Sequence, residues 1–190
     1  MRPAPDTGWT YTRMLAELPE GSRYELYGGN LVPMSPSPSY EHNRISRRLE
    51  KILSRIIEDT GIGEIMHAPM DVELAPNEVV QPDLFVLLYP IQARIARHII
   101  GAPELVIEIV SPGSSKSDRI EKKAIYARHG VKEYWLVDPA YKAIEINTLQ
   151  GNSYQTHDYA ELQGEVSSAL LPELVVTCEE VFGEARHSLA

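Results

Sequence analysis

Apolar residues recur with a helical period in one long segment of the chain. Over residues 41–59 they step by four, three and four, which places them on one face and predicts an amphipathic helix. These positions are Ile45, Leu49, Ile52 and Ile56. Glycines at positions 61 and 63 follow the segment and are typical of a helix end. A shorter helix is predicted over residues 9–18, directly before Pro19.

Short apolar runs elsewhere predict strands. Residues 24–27 and 30–34 flank Gly28-Gly29, a pattern that predicts a β-hairpin with a two-residue turn. The runs at 84–88 and 105–110 are almost continuously apolar, as expected for strands buried on both faces. Further strands are predicted within 64–74, at 134–137, and as a hairpin of 143–149 with 153–156, and a last helical turn is predicted at 178–182.

The order of these elements predicts the fold class. A helix begins near Ser115 and ends before Gly130, so it lies between the strands at 105–110 and 134–137. Strand, helix and strand in this order indicate an α/β fold with at least one crossover connection. Because 190 residues suit one domain of ordinary size, we interpret residues 1–190 as a single domain.

Composition narrows the classes of protein to consider. The one cysteine, Cys178, rules out an internal disulfide framework and favours a reducing compartment, so we expect a cytoplasmic protein. No apolar run reaches the roughly 18 residues of a membrane span, so no membrane partner is expected. The chain also lacks the glycine-rich phosphate loop, the Gly-x-Ser-x-Gly turn and a histidine pair at zinc-site spacing.

Charge is spread unevenly along the chain. Its 18 basic and 27 acidic residues give a net charge of −9, which argues against non-specific binding to nucleic acid. Two segments, 42–55 and 111–132, nevertheless hold eleven of the basic residues. Two interpretations stay open, a surface that binds a phosphate backbone and ordinary solvated helix faces. The candidate phosphate contacts are Arg44, Arg48, Lys51 and Arg55 on the first helix, and Lys116 and Arg119 on the second.

Two carboxylates occupy positions that packing does not explain. Glu108 lies in the middle of the most apolar predicted strand, where an isolated charge is costly. Asp83 follows Pro82 at the start of the preceding apolar run. If the two strands are neighbours, the carboxylates converge, and a divalent cation such as Mg²⁺ removes their repulsion. The alternative is that Asp83 caps a loop and Glu108 pairs with a lysine.

Pro82-Asp83 followed by a strand glutamate, Glu108, resembles the metal-binding half of the PD-(D/E)XK nuclease signature. A wider set of motifs is similar to the bacterial Uma-two family of restriction endonucleases, from about Tyr24 to Phe182. In chain order these motifs are Tyr24-Glu25-Leu26 with Gly29, Ser35-Pro36 with His42, Gln81-Pro82-Asp83-Leu84, Glu108-Ile109-Val110-Ser111-Pro112, Asp118 through Glu121-Lys122 to Tyr126, and Gly130 through Trp135 to Pro139.

The resemblance implies a restriction-endonuclease-like fold, in which a mixed central β-sheet is flanked by helices, here with an N-terminal helix and hairpin. It places the nuclease core at about 24–182 and leaves 183–190 as a flexible tail. It also implies Mg²⁺-dependent hydrolysis of DNA, with Mn²⁺ as a substitute and the cation bound by Asp83, Glu108 and the Ile109 carbonyl.

One position departs from the nuclease signature. The expected lysine is replaced by Val110, and the resembling family carries its lysine on the following helix, where Lys122 stands. A long flexible side chain can reach the same site from another backbone position. Lys116 is the competing candidate, and a solvated helix lysine is the alternative for Lys122. We expect Lys122→Ala to lower cleavage by roughly 10²-fold while the fold stays intact.

Three further residues are candidates for supporting roles. Glu25 and His42 are candidates for additional cation ligands or for neighbours of the cation ligands. The alternative is that Glu25 is a surface residue of the hairpin and His42 a residue at the start of a helix. Tyr126 falls one turn after Lys122 and braces it, although core packing explains it equally well.

Three functions are therefore compared. The first is a DNA endonuclease, the second a non-catalytic nucleic-acid-binding or regulatory protein on a nuclease fold, and the third a protein that binds or hydrolyses a smaller phosphorylated ligand. A homodimer is expected, because one site per chain requires two copies to cut both strands in one event.

Overall fold

The computed structural model describes residues 8–34 and 37–183, which form fourteen strands and four α-helices within those ranges. The strands are β1 (Tyr24–Tyr27), β2 (Asn30–Pro33), β3 (Gly63–His67), β4 (Val72–Ala75), β5 (Glu78–Val80), β6 (Leu84–Leu88), β7 (Arg94–Ile95), β8 (Ile99–Ile100), β9 (Leu105–Ile109), β10 (Glu133–Asp138), β11 (Ala143–Gln150), β12 (Ser153–Glu161), β13 (Glu165–Ser167) and β14 (Val175–Thr177). The helices are α1 (Tyr11–Glu17), α2 (Tyr40–Ile57), α3 (Lys123–Arg128) and α4 (Cys178–Phe182).

Six strands form the mixed central sheet, in the order β12-β11-β10-β9-β6-β3. The pair β9 and β10 is parallel, and the other neighbours in this sheet are antiparallel. A π-helical turn at Ser117–Lys122 runs directly into α3, and together they form the crossover between the two parallel strands. The predicted crossover and mixed central sheet are therefore confirmed.

Helix α2 covers one face of the central sheet. The Ser39 hydroxyl accepts a hydrogen bond from the His42 backbone N–H and caps the first turn. The side chains that α2 buries step by four residues and pack against Leu84, Val86 and Ile107 of the sheet. They are Ile45, Leu49, Leu53 and Ile57, whereas Ile52 and Ile56 at the margin are only partly buried.

A second six-stranded sheet packs against the opposite face of the central sheet. Its strand order is β2-β1-β5-β4-β8-β7. Alternate residues of the central strands, such as Phe85 and Val106, pack there with Val80 of β5 and Tyr126 of α3. The β1–β2 hairpin was predicted, but its membership in this sheet was not. As a result, Glu25 of β1 lies beside the candidate site residues of the central sheet and of the π-helical turn.

Most predicted elements are found with shifted ends. The helix predicted at 41–59 spans Tyr40–Ile57, whereas the helix predicted from Ser115 does begin there and continues into the π-helical turn at Ser117. The strands β5, β7, β8, β13 and β14 were not predicted. The tail at 184–190, and Ser35 and Pro36 of the connector, lie outside the described residues.

Candidate active site

Asp83 and Glu108 meet on the same face of the central sheet. Strands β6 and β9 are antiparallel neighbours, and Leu84 pairs with Ile107, which brings the preceding Asp83 opposite Glu108. Asp83 Oδ2 accepts a hydrogen bond of 2.7 Å from the Ile109 backbone N–H. The predicted convergence of the two strands therefore holds, and the Asp83 carboxylate is fixed against the strand that carries Glu108.

Lys122 projects from the π-helical turn toward Asp83 and Glu108. The space around these three side chains is called the cleft below. Its ammonium lies 3.1 Å from Glu108 Oε1 and 2.9 Å from Glu25 Oε1, and its side chain is only 8% exposed. Burial lowers the pKa of Lys122, but Glu108 and Glu25 outweigh that cost and raise the pKa well above its usual range. Lys116, the competing candidate, is 81% exposed and pairs with Glu121 at 3.6 Å. The structure thus brings Lys122, and not Lys116, to the carboxylates.

The position of Val110 explains why the lysine must come from elsewhere. Val110 is buried in the apolar cluster between the two sheets, together with Phe85 and Val106. An ammonium at that position would enter an apolar core and lose its hydration. The π-helical turn instead buries Lys122 from the far side of the cleft. Turns of this type interrupt α-helices frequently at functional sites.

Glu108 is held by two donors and sits in a strongly acidic environment. Its Oε1 accepts hydrogen bonds from Lys122 Nζ at 3.1 Å and from the Tyr126 hydroxyl at 2.6 Å. Burial raises the pKa of Glu108 well above its usual range, Lys122 opposes that rise, and the nearby carboxylates add to it. The structure thus places Tyr126 on Glu108 rather than on Lys122, as a brace for the carboxylate.

Glu25 reaches the cleft from the second sheet. It is 5% exposed, and its Oε1 accepts a 2.9 Å hydrogen bond from the Gln81 backbone N–H in addition to the Lys122 ion pair. Its Oε2 accepts a 2.6 Å hydrogen bond from the Tyr27 hydroxyl, which in turn lies 3.1 Å from Ser117 Oγ. Glu25 is therefore a buried member of the cleft and not a surface residue of the hairpin.

His42 approaches Asp83 from the first turn of α2. Its Nε2 lies 3.1 Å from Asp83 Oδ2, and its Nδ1 is buried without a hydrogen-bond partner in the described residues. Burial lowers the pKa of His42, but Asp83, Asp118 and Ile109 outweigh burial and raise it. His42 thus contacts Asp83, one of the three groups expected to bind a cation.

Asp118 also lies in the cleft, although the sequence indicated it only as part of a family motif and not as a site residue. It is 1% exposed and precedes Lys122 by four residues, so both side chains leave the same side of the π-helical turn. Its Oδ1 lies 3.9 Å from the Lys122 ammonium and has no hydrogen-bond partner in the described part of the chain. The signal that could have found it was a second acid one turn before a lysine that faces the cleft.

The donor groups of the cleft suit a hard divalent cation. Asp83 Oδ1 and Glu108 Oε2 accept no hydrogen bond within residues 8–34 and 37–183, and carboxylate oxygens are what Mg²⁺ prefers. Within the same ranges no three His, Cys, Asp or Glu side chains form a metal-binding group. A cation here would therefore rely on Asp83, Glu108, a backbone carbonyl and water, which is the set that the sequence predicted.

The predicted phosphate-binding residues fall into two groups. On α2 the buried residues and His42 share one side, and the basic stripe lies roughly 150° away from them, on the outward side. Arg44 Nη1 donates to the Gly183 carbonyl at 2.8 Å, and Arg48 Nη1 donates to the Val181 carbonyl at 3.2 Å, both at the end of α4. Lys51 and Arg55 are exposed on the same outward face.

The second basic group lies closer to the cleft. Lys116 precedes the π-helical turn, and its side chain is largely exposed. Arg119, one residue after Asp118, forms an ion pair with Asp138 of β10. The later segment therefore lies beside the candidate site, whereas the α2 stripe faces away from it.

Comparisons with known proteins identify the family and the fold. The chain matches the Uma2 family, described as "Putative restriction endonuclease", over residues 10–179. It is similar to the crystal structure of an Anabaena variabilis ATCC 29413 protein described as a "putative nuclease belonging to DUF820". The TM-score is 0.75 at 20% identity, and the match covers 91% of this chain and 97% of that one. No curated protein matches the chain. Within the described residues, no helix is long and apolar enough to cross a membrane.

Proposed function

Because the chain belongs to the Uma2 family of restriction-endonuclease-like nucleases, we propose that it hydrolyses DNA phosphodiester bonds with Mg²⁺ at the Asp83–Glu108 cleft. The observation that carries the proposal is the position of the Lys122 ammonium, 3.1 Å from Glu108 Oε1 on the face that Asp83 shares. Two carboxylates and one lysine reproduce the chemistry of the nuclease signature, although the lysine comes from a different element.

The residues of the cleft have different roles in the proposed reaction. Asp83, Glu108 and the Ile109 carbonyl would hold the cation, which when bound polarises a phosphoryl oxygen and lowers the pKa of a water molecule. Lys122 stays protonated, because the carboxylates around it raise its pKa. Its role is therefore to stabilise the negative charge that develops on the phosphoryl group, and not to accept a proton.

Glu25 and Tyr126 fix the positions of these groups. Glu25 holds the Lys122 ammonium from the side of the hairpin, and the Tyr126 hydroxyl holds the Glu108 carboxylate. Both contacts are buried, so each is stronger than a comparable contact at the surface. A site built in this way loses little energy to reorganisation when charge develops in the transition state.

The test is a cleavage assay on duplex and single-stranded DNA with Mg²⁺, Mn²⁺ or EDTA. The proposal requires cleavage that depends on the cation. DNA binding without cleavage would favour the regulatory protein on a nuclease fold. A ligand-binding protein for small phosphorylated molecules would show no steep salt dependence of binding to the polymer.

Replacing Lys116 by glutamine should weaken binding to every DNA sequence tried. The side chain is exposed beside the cleft, so the loss of one phosphate contact should make the plot of log affinity against log salt shallower by about one unit. Lys51→Gln, on the outward face of α2, is the matched control and should leave the slope unchanged. The opposite pattern would place the phosphate backbone on α2 instead.

The protein is also expected to be a homodimer, since a single cleft serves one strand at a time. Light scattering at micromolar concentration should give twice the mass of the chain. A particle with the mass of one chain would contradict this prediction.

A further inference from the structure

Asp118 carries a buried carboxylate oxygen without a donor. Its side chain is 1% exposed, and Oδ1 has no hydrogen-bond partner in the described residues. The Lys122 ammonium lies 3.9 Å away, beyond hydrogen-bond distance. Leaving such an oxygen unsatisfied is unfavourable, so stability alone does not explain a carboxylate at this position. An ionised carboxylate oxygen only accepts hydrogen bonds, so a donor such as water fits this position.

Most other polar groups of the cleft are already committed, although His42 Nδ1 is also buried without a hydrogen-bond partner in the described residues. The raised pKa of His42 favours its protonated ring, which accepts no proton. Both oxygens of Glu25 accept hydrogen bonds, from the Gln81 backbone and from Tyr27. Asp83 and Glu108 are the expected cation ligands, and Lys122 is held in its charged form by the acids around it. Hydrolysis by water nevertheless requires a group that accepts a proton from the attacking molecule.

We infer that Asp118 is a further catalytic residue, whose Oδ1 accepts a proton from the water that attacks the phosphodiester. This role rests on the proposed hydrolytic function. The water O–H bond breaks, and its oxygen bonds to phosphorus while the bond from phosphorus to the leaving oxygen breaks. The proton passes to the Asp118 carboxylate and then to solvent, and the leaving oxygen takes a proton from solvent water.

The surroundings of Asp118 suit a proton acceptor. Burial raises the pKa of Asp118 to about 6, although Lys122 opposes the rise. A carboxylate of this basicity is still ionised at neutral pH and is a better proton acceptor than an ordinary aspartate. Six charged or titratable groups interact electrostatically with Asp118. They are Lys122 on its own turn, Glu25 of β1, His42 of α2, Asp83 before β6, Glu108 of β9 and Tyr134 of β10.

The test compares Asp118→Asn with Glu121→Gln, an exposed acid on the same turn. We expect Asp118→Asn to lower kcat by roughly 10²-fold or more, with KM and calorimetric Mn²⁺ affinity within about threefold of wild type. Its melting temperature should not fall, because the amide keeps the shape and removes a buried charge. Glu121→Gln should match wild type in kcat, Mn²⁺ affinity and melting temperature.

Each other outcome contradicts this role in a different way. A loss of Mn²⁺ affinity would make Asp118 a cation ligand, and a lower melting temperature would make it a structural partner of Lys122. An active Asp118→Asn variant overturns the role of Asp118 alone. A wild-type protein that cleaves no nucleic acid with any cation overturns the hydrolytic function, and this role with it.

Discussion

Replacing Asp83 by asparagine should abolish cleavage, with a loss of at least roughly 10³-fold in kcat. The amide has no charge to hold a divalent cation, and the remaining carboxylate, Glu108, is buried and already bonded to Lys122 and Tyr126. The hydrogen bond from the Ile109 backbone to Oδ2 can be kept by the amide oxygen, so the fold should survive. Cleavage rates in Mg²⁺ and circular dichroism check both parts.

Asp158→Asn is the matched control for this variant. Asp158 also accepts a backbone hydrogen bond from a neighbouring segment, from the Ser167 N–H at 2.8 Å, but it lies on β12, away from the cleft. The Asp158→Asn variant should cleave DNA at the wild-type rate. If Asp83→Asn retained more than a tenth of wild-type cleavage, Asp83 would not be a cation ligand.

Replacing Lys122 by methionine should cost both activity and stability. Removal of the ammonium leaves Glu25 and Glu108 as uncompensated buried carboxylates, which typically costs about 3–5 kcal/mol of unfolding free energy. Cleavage should fall by roughly 10²-fold or more, because the ammonium that stabilises the charge developing on the phosphoryl group is lost. The sequence-based expectation of an intact fold is revised, since the side chain is buried between carboxylates rather than solvated.

A second substitution separates the two effects. Combining Lys122→Met with Glu25→Gln removes one of the two uncompensated carboxylates, so the double variant should recover part of the lost stability. It should remain as inactive as Lys122→Met alone. Urea denaturation and cleavage rates measure the two quantities. Equal stability of Lys122→Met and wild type would show that the ion pairs do not hold the cleft together.

The central sheet was predictable because its signals are local. Strand β6 is a continuous apolar run, β9 is apolar except for Glu108, and α2 has a clean helical period. The second sheet was not, since β7 and β8 have two residues each and β5 has three, too few to show a period. Such strands exist because they pair with distant segments, and pairing of that kind leaves no local pattern.

The candidate site was predictable only in part, for a similar reason. Glu108 was conspicuous because a charge interrupted an apolar strand, whereas Asp118 looked like any polar residue of a helix. The π-helical turn that buries it has no signature in a single sequence. The arginines of α2 looked like phosphate contacts, but Arg44 and Arg48 donate to carbonyls near Gly183, far along the chain.

The central claim is that Asp83 and Glu108 hold a divalent cation. The most direct test is the anomalous diffraction of crystals grown with Mn²⁺. We predict one strong peak within coordination distance of Asp83, Glu108 and the Ile109 carbonyl, and no such peak in Asp83→Asn crystals. A peak elsewhere, or a cleft that stays free of Mn²⁺ at millimolar concentration, would contradict the account.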